Sequence, residues 1–444
     1  MNEKVTVIGG GLAGCEAAWQ AATRGAQVVL YEMKPTQFTP AHSYKGLSEL
    51  VCSNSLRSGE LTNAAGLLKR ELSMAGSLIM EAAYATAVPA GGAVAVDRYR
   101  FSDYITEKIS SHPNITLVSE RIDRIPESGV TVIATGPLTE GELFDDIRRL
   151  TGRDGLYFHD AAAPIVSAES VDMTKAFFAS RYGKGNGTDY LNCPMTKEEY
   201  LAFYEALVSA ETAELKSFEG RDEKEKIKVF EGCMPVEIMA KRGVDTLRFG
   251  PLKPVGIELP SGGEAYAIVQ LRRENDAGTM YNLVGFQTNL KFGEQRRVFG
   301  MIPGLENAEF YRYGVMHRNT YLESPGFLTE TYSVVGREEL FFAGQMTGVE
   351  GYIESASSGF VAGINAAAVA LGREKTVFPP ETMIGALARH VSLGEMTGFQ
   401  PMNANFGIIE PFPREMKIKK RFRNEAYANR SIGIISEMFP NEAE

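Results

Sequence analysis

Two cysteines stand in settings that suit a reactive thiolate. Cys52 lies in SELVCSNSLRS, ringed by Ser48, Ser53, Asn54, Ser55, Arg57 and Ser58. So polar a stretch makes a poor core segment, and the nearby arginine would favour the ionised, reactive form of the thiol. Cys233 lies in VFEGCMPVEIMAKRG, between Gly232 and Pro235, where a strand would end in a turn and present the thiol to a cleft. A cysteine is also a small apolar packing residue, and on composition alone both readings stand for each of the two. Cys15, in the helix after GGGLAG, and Cys193, in LNCPM, read as packing. The four cysteines show no C-x-x-C spacing, so neither a zinc site nor a disulfide framework is expected, and no metal ligands are assigned. His317 stands beside Arg318 and Asn319 in YGVMHRNTY, a mixture that suits a planar polar ligand as well as a satisfied structural histidine.

The elements that must position these residues begin at the N-terminus. VTVIGGGLAGCEAAWQAATRGAQVVLYE reads as a buried strand, a glycine turn, a helix, a second strand and an acid at that strand's end. Gly9, Gly11 and Gly14 fill the three positions of G-x-G-x-x-G, with Gly10, Leu12 and Ala13 between them. The first glycine allows the turn, the second lets a pyrophosphate approach, and the third lets helix and strand pack closely. Glu32 follows Gly14 by 18 positions, where a carboxylate can bind ribose hydroxyls. A bound dinucleotide is the expectation, against a glycine turn made for packing alone.

Near the other end, LFFAGQMTGVEGYIESASSGFVAGINAA reads as a short apolar strand, a glycine loop and a helix of small residues. It is similar to the second flavin-contacting segment of flavoproteins with two dinucleotide-binding domains. The ATG ending at Gly136, after VTVIA, resembles another element of that fold. On this resemblance the cofactor is FAD rather than NAD, with Gly344, Gln345, Gly351 and Tyr352 near the flavin.

Length and composition bound the remainder. The 444 residues suffice for two or three domains, and 44% hydrophobic with 23% charged content is that of a globular protein. No run approaches the ~20 apolar residues of a membrane span, and a strand entered by about Lys4 leaves no room for a signal peptide, so a reducing cytoplasmic location is expected. The net charge of −10 argues against a surface coated for nucleic acid. It permits a local basic patch, since only the potential within a Debye length of ~8 Å matters. REMKIKKRFRNEAYANR, Arg414 to Arg430, carries seven cationic and two anionic residues, among them Lys417, Lys419, Lys420 and Arg421, with Phe422 and Tyr427 interleaved. This is either a solvated helix face or a contact to a phosphate backbone.

The fold class predicted is α/β: a two-part Rossmann-like FAD-binding domain with a smaller inserted α+β domain. The boundaries expected are 1–151 and 327–444 for the FAD domain with a helical tail, and 152–326 for the insertion. In the insertion, AYAIVQLR and YNLVGFQT read as strands, EEYLAFYEALVSAETAELKSF as a helix, and EGRDEKEKIK as an exposed loop or helix end.

Taken together, these motifs resemble the folate- and FAD-dependent tRNA uracil-5-methyltransferases, the TrmFO family of small GidA-like proteins. The likeness runs nearly end to end, through PAHSYKGLSELVCSNSLRS, NAAGLLKRELSMAGSLIMEAA, VPAGGAVAVDR, YLNCPMTKEEY, FEGCMPVE, RFGPLKPVG, MIPGLENAEFYRYGVMHRNTY, GVEGYIESASSGFVAGINAA and FQPMNANFG. The resemblance implies transfer of the one-carbon unit of 5,10-methylenetetrahydrofolate to carbon 5 of the T-loop uridine, with NADH or NADPH as reductant. It implies Cys233 as the thiolate that adds at carbon 6, Cys52 as a second catalytic cysteine near the flavin, and His317, Arg318 and Asn319 at the pterin or uracil. It also strengthens the RNA reading of the basic segment, and calls for no protein partner. The rivals are the same chemistry on ribosomal RNA, the larger GidA-type enzyme of the wobble uridine, a plain NAD(P)H oxidase, and a non-catalytic flavin-bound RNA-binding protein. About 80 residues after Gly363 are too few for the larger enzyme's C-terminal region.

Overall fold

The computed structural model describes residues 3–152, 156–213, 234–394, 399–413, 415–416 and 418–440. Cys233, Lys417 and the EGRDEKEKIK segment lie outside the described residues.

The apolar run KVTVI forms the strand Lys4–Ile8 at the middle of a six-stranded sheet. It pairs in parallel with Gln27–Glu32 on one side and Val130–Ile133 on the other, Val7 lying opposite both Leu30 and Val132. Ile115–Ser119 closes one edge in parallel. At the other side the chain returns after some two hundred residues, and Arg337–Phe342 pairs in parallel with Val130–Ile133, with Phe342 beside Ile133. Ser333–Val334 turns back antiparallel as the far edge. The strand order thus reverses at Lys4–Ile8, which in open α/β sheets places a ligand beyond the carboxyl ends of these strands.

The helix Leu12–Thr23 and the twenty-residue helix Tyr352–Leu371 pack directly on one another. The small residues of the second make this contact possible: a β-carbon added to Gly359 would lie 2.1 Å from the Ala13 carbonyl oxygen, and one on Gly363 2.5 Å from that of Ala17. Helices Ala64–Met74, Leu78–Ala85, Arg98–Ser111, Met383–Leu393 and Arg423–Met438 complete this body. Its core runs from Val5 and Leu30 to Phe341, Phe360 and Ile435.

Residues between the two halves of that sheet build a second one. Its order is Phe177–Ala179, Tyr190–Met195, Ala267–Arg273, Met280–Leu283, Ile165–Ser167, Phe310–Arg312, antiparallel throughout. One face, with Leu191, Cys193, Val269, Leu271 and Leu283, is covered by helices that include Lys197–Ser209 and Phe292–Phe299. The chain passes between the two bodies along a two-stranded ribbon, Leu156–Ala161 against Met316–Tyr321. The predicted α/β class with a second α+β body is what is found. The helix expected to run through SAETAELKSF stops earlier, because Ser209 is its last residue and Ala210 is already extended.

Candidate functional site

A cleft opens over the carboxyl ends of Lys4–Ile8 and Gln27–Glu32, lined by Gly9, Tyr31, Glu32, Arg121, Thr135 and Thr139 among others. Gly9 has φ +102° and packs so tightly that a β-carbon would sit 2.5 Å from the Ala134 carbonyl oxygen. A β-carbon on Gly14 would lie 1.8 Å from Gly9's own carbonyl, whereas the space beside Gly11 is open to 4 Å. Tight glycines thus bracket a loop whose middle is free to receive a ligand. Glu32 turns back over this loop, its carboxylate accepting the Gly10 N–H at 2.6 Å and the Lys34 N–H at 3.0 Å.

The two helices that flank the loop begin at Gly11 and Gly351, and neither has a side-chain cap. Nearby helices are capped by Asn63, Ser77, Asp97 and Thr382. An uncapped helix start leaves N–H donors and the positive end of the dipole for an anion. Gly136 follows the strand Val130–Ile133, and Gly344 follows Arg337–Phe342, its N–H bound to Ser358 Oγ at 2.7 Å. Gln345 opens a short turn and donates its amide to Glu350. Gly9 and Glu32 thus line the cleft, while Gly136 and Gly344 follow two neighbouring strands of the same sheet.

Cys52 sits where the two bodies meet. Tyr352 reaches it from the start of its helix: the phenol oxygen accepts the Cys52 N–H at 2.8 Å and lies 2.9 Å from Cys52 Sγ. Burial, and next the charge of the Cys52 sulfur, push the phenol well above its ordinary range. The polar stretch expected to stay out of the core is in fact largely buried, with Ser48 and Asn54 inaccessible and Cys52 half-buried. Asn54 is buried with both ends of its amide paired. Asn54 Nδ2 donates to the carbonyls of Val96 and Arg273, and its Oδ1 accepts from Arg272.

The opposing face of the inserted sheet is polar as well. Asn192, Gln270, Arg272, Glu274 and Asn282 are all buried there. Arg98 from the first body pairs with Glu274 at 2.9 Å. Sequence reading missed these residues, although Gln270, Arg272 and Glu274 alternate with Val269 and Leu271 in AIVQLRRE, a strand with one polar face.

The other cysteines differ. Burial pushes the thiols of Cys15 and Cys193 up to about 12, so both pack rather than react. His317, Arg318 and Asn319 lie on the linking ribbon Met316–Tyr321, and Asn319 is buried. Lys419, Lys420 and Arg421 are exposed, not on a helix face but in the turn that precedes Arg423–Met438. Tyr427, grouped with them in sequence, is buried and stacks on Phe412 and Phe406. Phe422 remains exposed. Asn424 donates to the Thr62 carbonyl at 3.0 Å, which sets this basic turn beside an open cleft of about 450 Å³ lined by Arg57, Ser58, Asn63, Met402, Asn403 and Asn405.

Residues 4–374 match the family model described as glucose inhibited division protein A. The chain belongs to this family. Within it, the chain is 57% identical to the methylenetetrahydrofolate–tRNA-(uracil-5-)-methyltransferase TrmFO of Acetivibrio thermocellus, over 98% of this chain and 99% of that one. It is likewise 57% identical to the TrmFO of Bacillus subtilis, over 98% of each chain, and 56% identical to that of Listeria innocua, over 99% of each. It is thus a member of the TrmFO branch. The solved structure of Aquifex aeolicus GidA shares the fold at a TM-score of 0.70 and 18% identity, covering 99% of this chain and 76% of GidA.

Proposed function

We propose that this chain is a folate- and FAD-dependent tRNA (uracil-5-)-methyltransferase. The observation that carries this reading is the end-to-end identity of 57% to relatives so named. The site fits it. The Gly9–Gly14 loop, Glu32 and the uncapped helix start at Gly11 would hold the ADP half of FAD, and Gly344, Gln345, Gly351 and Tyr352 its flavin half. A flavin there supplies the two-electron reduction, ultimately from NADH or NADPH, that turns a transferred methylene into a methyl.

The chain's own groups do the remaining chemistry. Carbon 5 of uracil is a weak nucleophile. A thiolate adding at carbon 6 pushes electrons to the carbonyl oxygen and makes carbon 5 an enolate carbon, which is covalent catalysis. We assign the thiolate to Cys233, which precedes Met234 in sequence; Pro235 caps the short helix Val236–Ala240. That helix is fastened by Glu237, whose carboxylate takes Thr288 Oγ1 and the Asn289 N–H, each at 2.8 Å. Cys52, held by Tyr352 at the dinucleotide site, is the second thiol. A T-loop base is stacked and must swing out to be reached. Lys419, Lys420 and Arg421, with Lys417 beside them in sequence, would hold the phosphates, and His317, Arg318 and Asn319 the pterin or base.

A T-arm RNA carrying 5-fluorouridine tests the nucleophile, because fluorine at carbon 5 blocks the final proton loss. Wild-type protein with methylenetetrahydrofolate and NADH should form a denaturation-resistant RNA adduct, and Cys233→Ala should form none. An undiminished adduct in Cys233→Ala would remove the assignment.

A further inference from the structure

The Leu50–Asn54 stretch is gripped from both bodies by three arginines. Arg98 donates to the Leu50 carbonyl and Arg312 to the Val51 carbonyl. Arg272 donates to Ser53 Oγ and Asn54 Oδ1, each at 2.8 Å. Cys52 is the residue inside this ring.

The charges around it do not cancel. On its own segment, Glu49 is paired with Lys34 and Arg57 with Glu354, each at 3.6 Å. From the helix Arg98–Ser111 comes Arg98, and from the start of Tyr352–Leu371 comes Tyr352. The inserted sheet supplies Arg272 from its third strand, Glu274 just past that strand's end and Arg312 from its edge, whereas Arg273 lies over the ring of Phe178. Among the described residues, three guanidiniums thus face one carboxylate. Arg312 Nε is buried without a hydrogen-bond partner, and burial, then repulsion from Arg98, disfavours its charge. An enclosed excess of cations is costly unless an anion forms among them. Among the described residues the groups there able to form one are Cys52, Tyr352 and Tyr190, which bonds Arg272, and burial holds both phenol protons in place.

We propose that Arg312, together with Arg98, is a positioning residue that holds the Cys52 sulfur, the second thiol of the proposed reaction, as a thiolate. The inference rests on the proposed methyltransferase reading.

The test needs neither RNA nor folate, so its failure is separable from failure of that reading. FAD-loaded Cys233→Ala protein is alkylated with iodoacetamide from about pH 5 to about pH 10, and modification is read at the Cys52 peptide by mass spectrometry. The midpoint should fall below the ~8.5 of a free thiol. Adding Arg312→Gln should raise it by about one unit, slowing alkylation near neutrality roughly tenfold. Arg312→Lys, which keeps the charge, should restore most of that rate. Superimposed profiles for wild-type Arg312 and Arg312→Gln would overturn the proposal, as would equal shifts in Gln and Lys, which would make the backbone bond the operative feature. Should Arg312→Gln lose its flavin, the thiolate absorbance difference between wild type and Cys52→Ser decides alone. A midpoint at or above that of a free thiol refutes it.

Discussion

At the scale of single residues, the bond between Tyr352 and Cys52 ties the start of the helix Tyr352–Leu371 to the thiol. One phenol oxygen serves both the backbone N–H and the sulfur. Tyr352→Phe keeps the ring and removes both partners, leaving an enclosed N–H without an acceptor. It should lower stability by about 1–2 kcal/mol, read from chemical denaturation. It should also slow methylation about tenfold or more while leaving flavin content near wild type, because the phenol bonds a sulfur that can carry charge. Unchanged turnover would show that the phenol only fastens the loop. The sequence pointed to Cys52 and to Tyr352 separately. They meet across 300 positions of chain, and no local spacing encodes that meeting. The arginines were hidden by the same logic: Arg98, Arg272 and Arg312 come from three distant segments that meet only when the two bodies dock.

At the scale of elements, the glycine motif and the small-residue helix were legible because each imposes a local geometry. What the small residues face was not: Gly359 and Gly363 admit the helix Leu12–Thr23. Gly359→Val would drive a side chain into the Ala13 carbonyl, displacing the loop's helix. It should cost on the order of 3 kcal/mol and release the flavin, visible as loss of yellow colour on purification.

Buried acids fasten other elements. Glu71 takes the Met383 and Ile384 N–H groups at 2.8 Å, together with Ser431 Oγ, and so caps one helix and ties down another. Burial nevertheless lifts its carboxyl from 4.5 to about 7. A carboxyl raised in the folded state contributes stability that is present in full below its unfolded value and lost as pH rises through the folded one. Between about pH 4.5 and pH 7 this group should therefore weaken the fold by roughly 3 kcal/mol. Thermal melts of wild type and Glu71→Gln across that window should show the decline in the first and its absence in the second.

At the scale of the whole molecule, two bodies share one polar interface, and the Arg98–Glu274 pair spans it. Arg98→Ala would leave Glu274 enclosed without its partner, a change worth about 3–5 kcal/mol. It should separate the unfolding of the two bodies in calorimetry. The α/β class and the insertion were readable from the order of strand and helix patterns, because the apolar strands of a parallel sheet and the alternating strands of an antiparallel one differ in composition. The enclosing of SELVCSNSLRS was not, since its burial depends on partners supplied by the other body. The molecule carries a net charge of −10 yet exposes Lys419, Lys420 and Arg421 in one turn. Replacing these three with Gln should weaken tRNA binding and flatten its dependence on salt, by about one unit of slope for each phosphate that the variant no longer neutralises. Weakening with an unchanged slope would place the RNA elsewhere.

The central claim is that this chain moves a one-carbon unit from folate to uridine. It is tested most directly by mixing purified protein, unmodified tRNA transcript and NADH with methylenetetrahydrofolate labelled in its methylene carbon, then digesting the RNA to nucleosides. The account predicts label in 5-methyluridine from the T-loop, and none with Cys233→Ala. Yellow protein that oxidises NADH and leaves the tRNA unlabelled would contradict it.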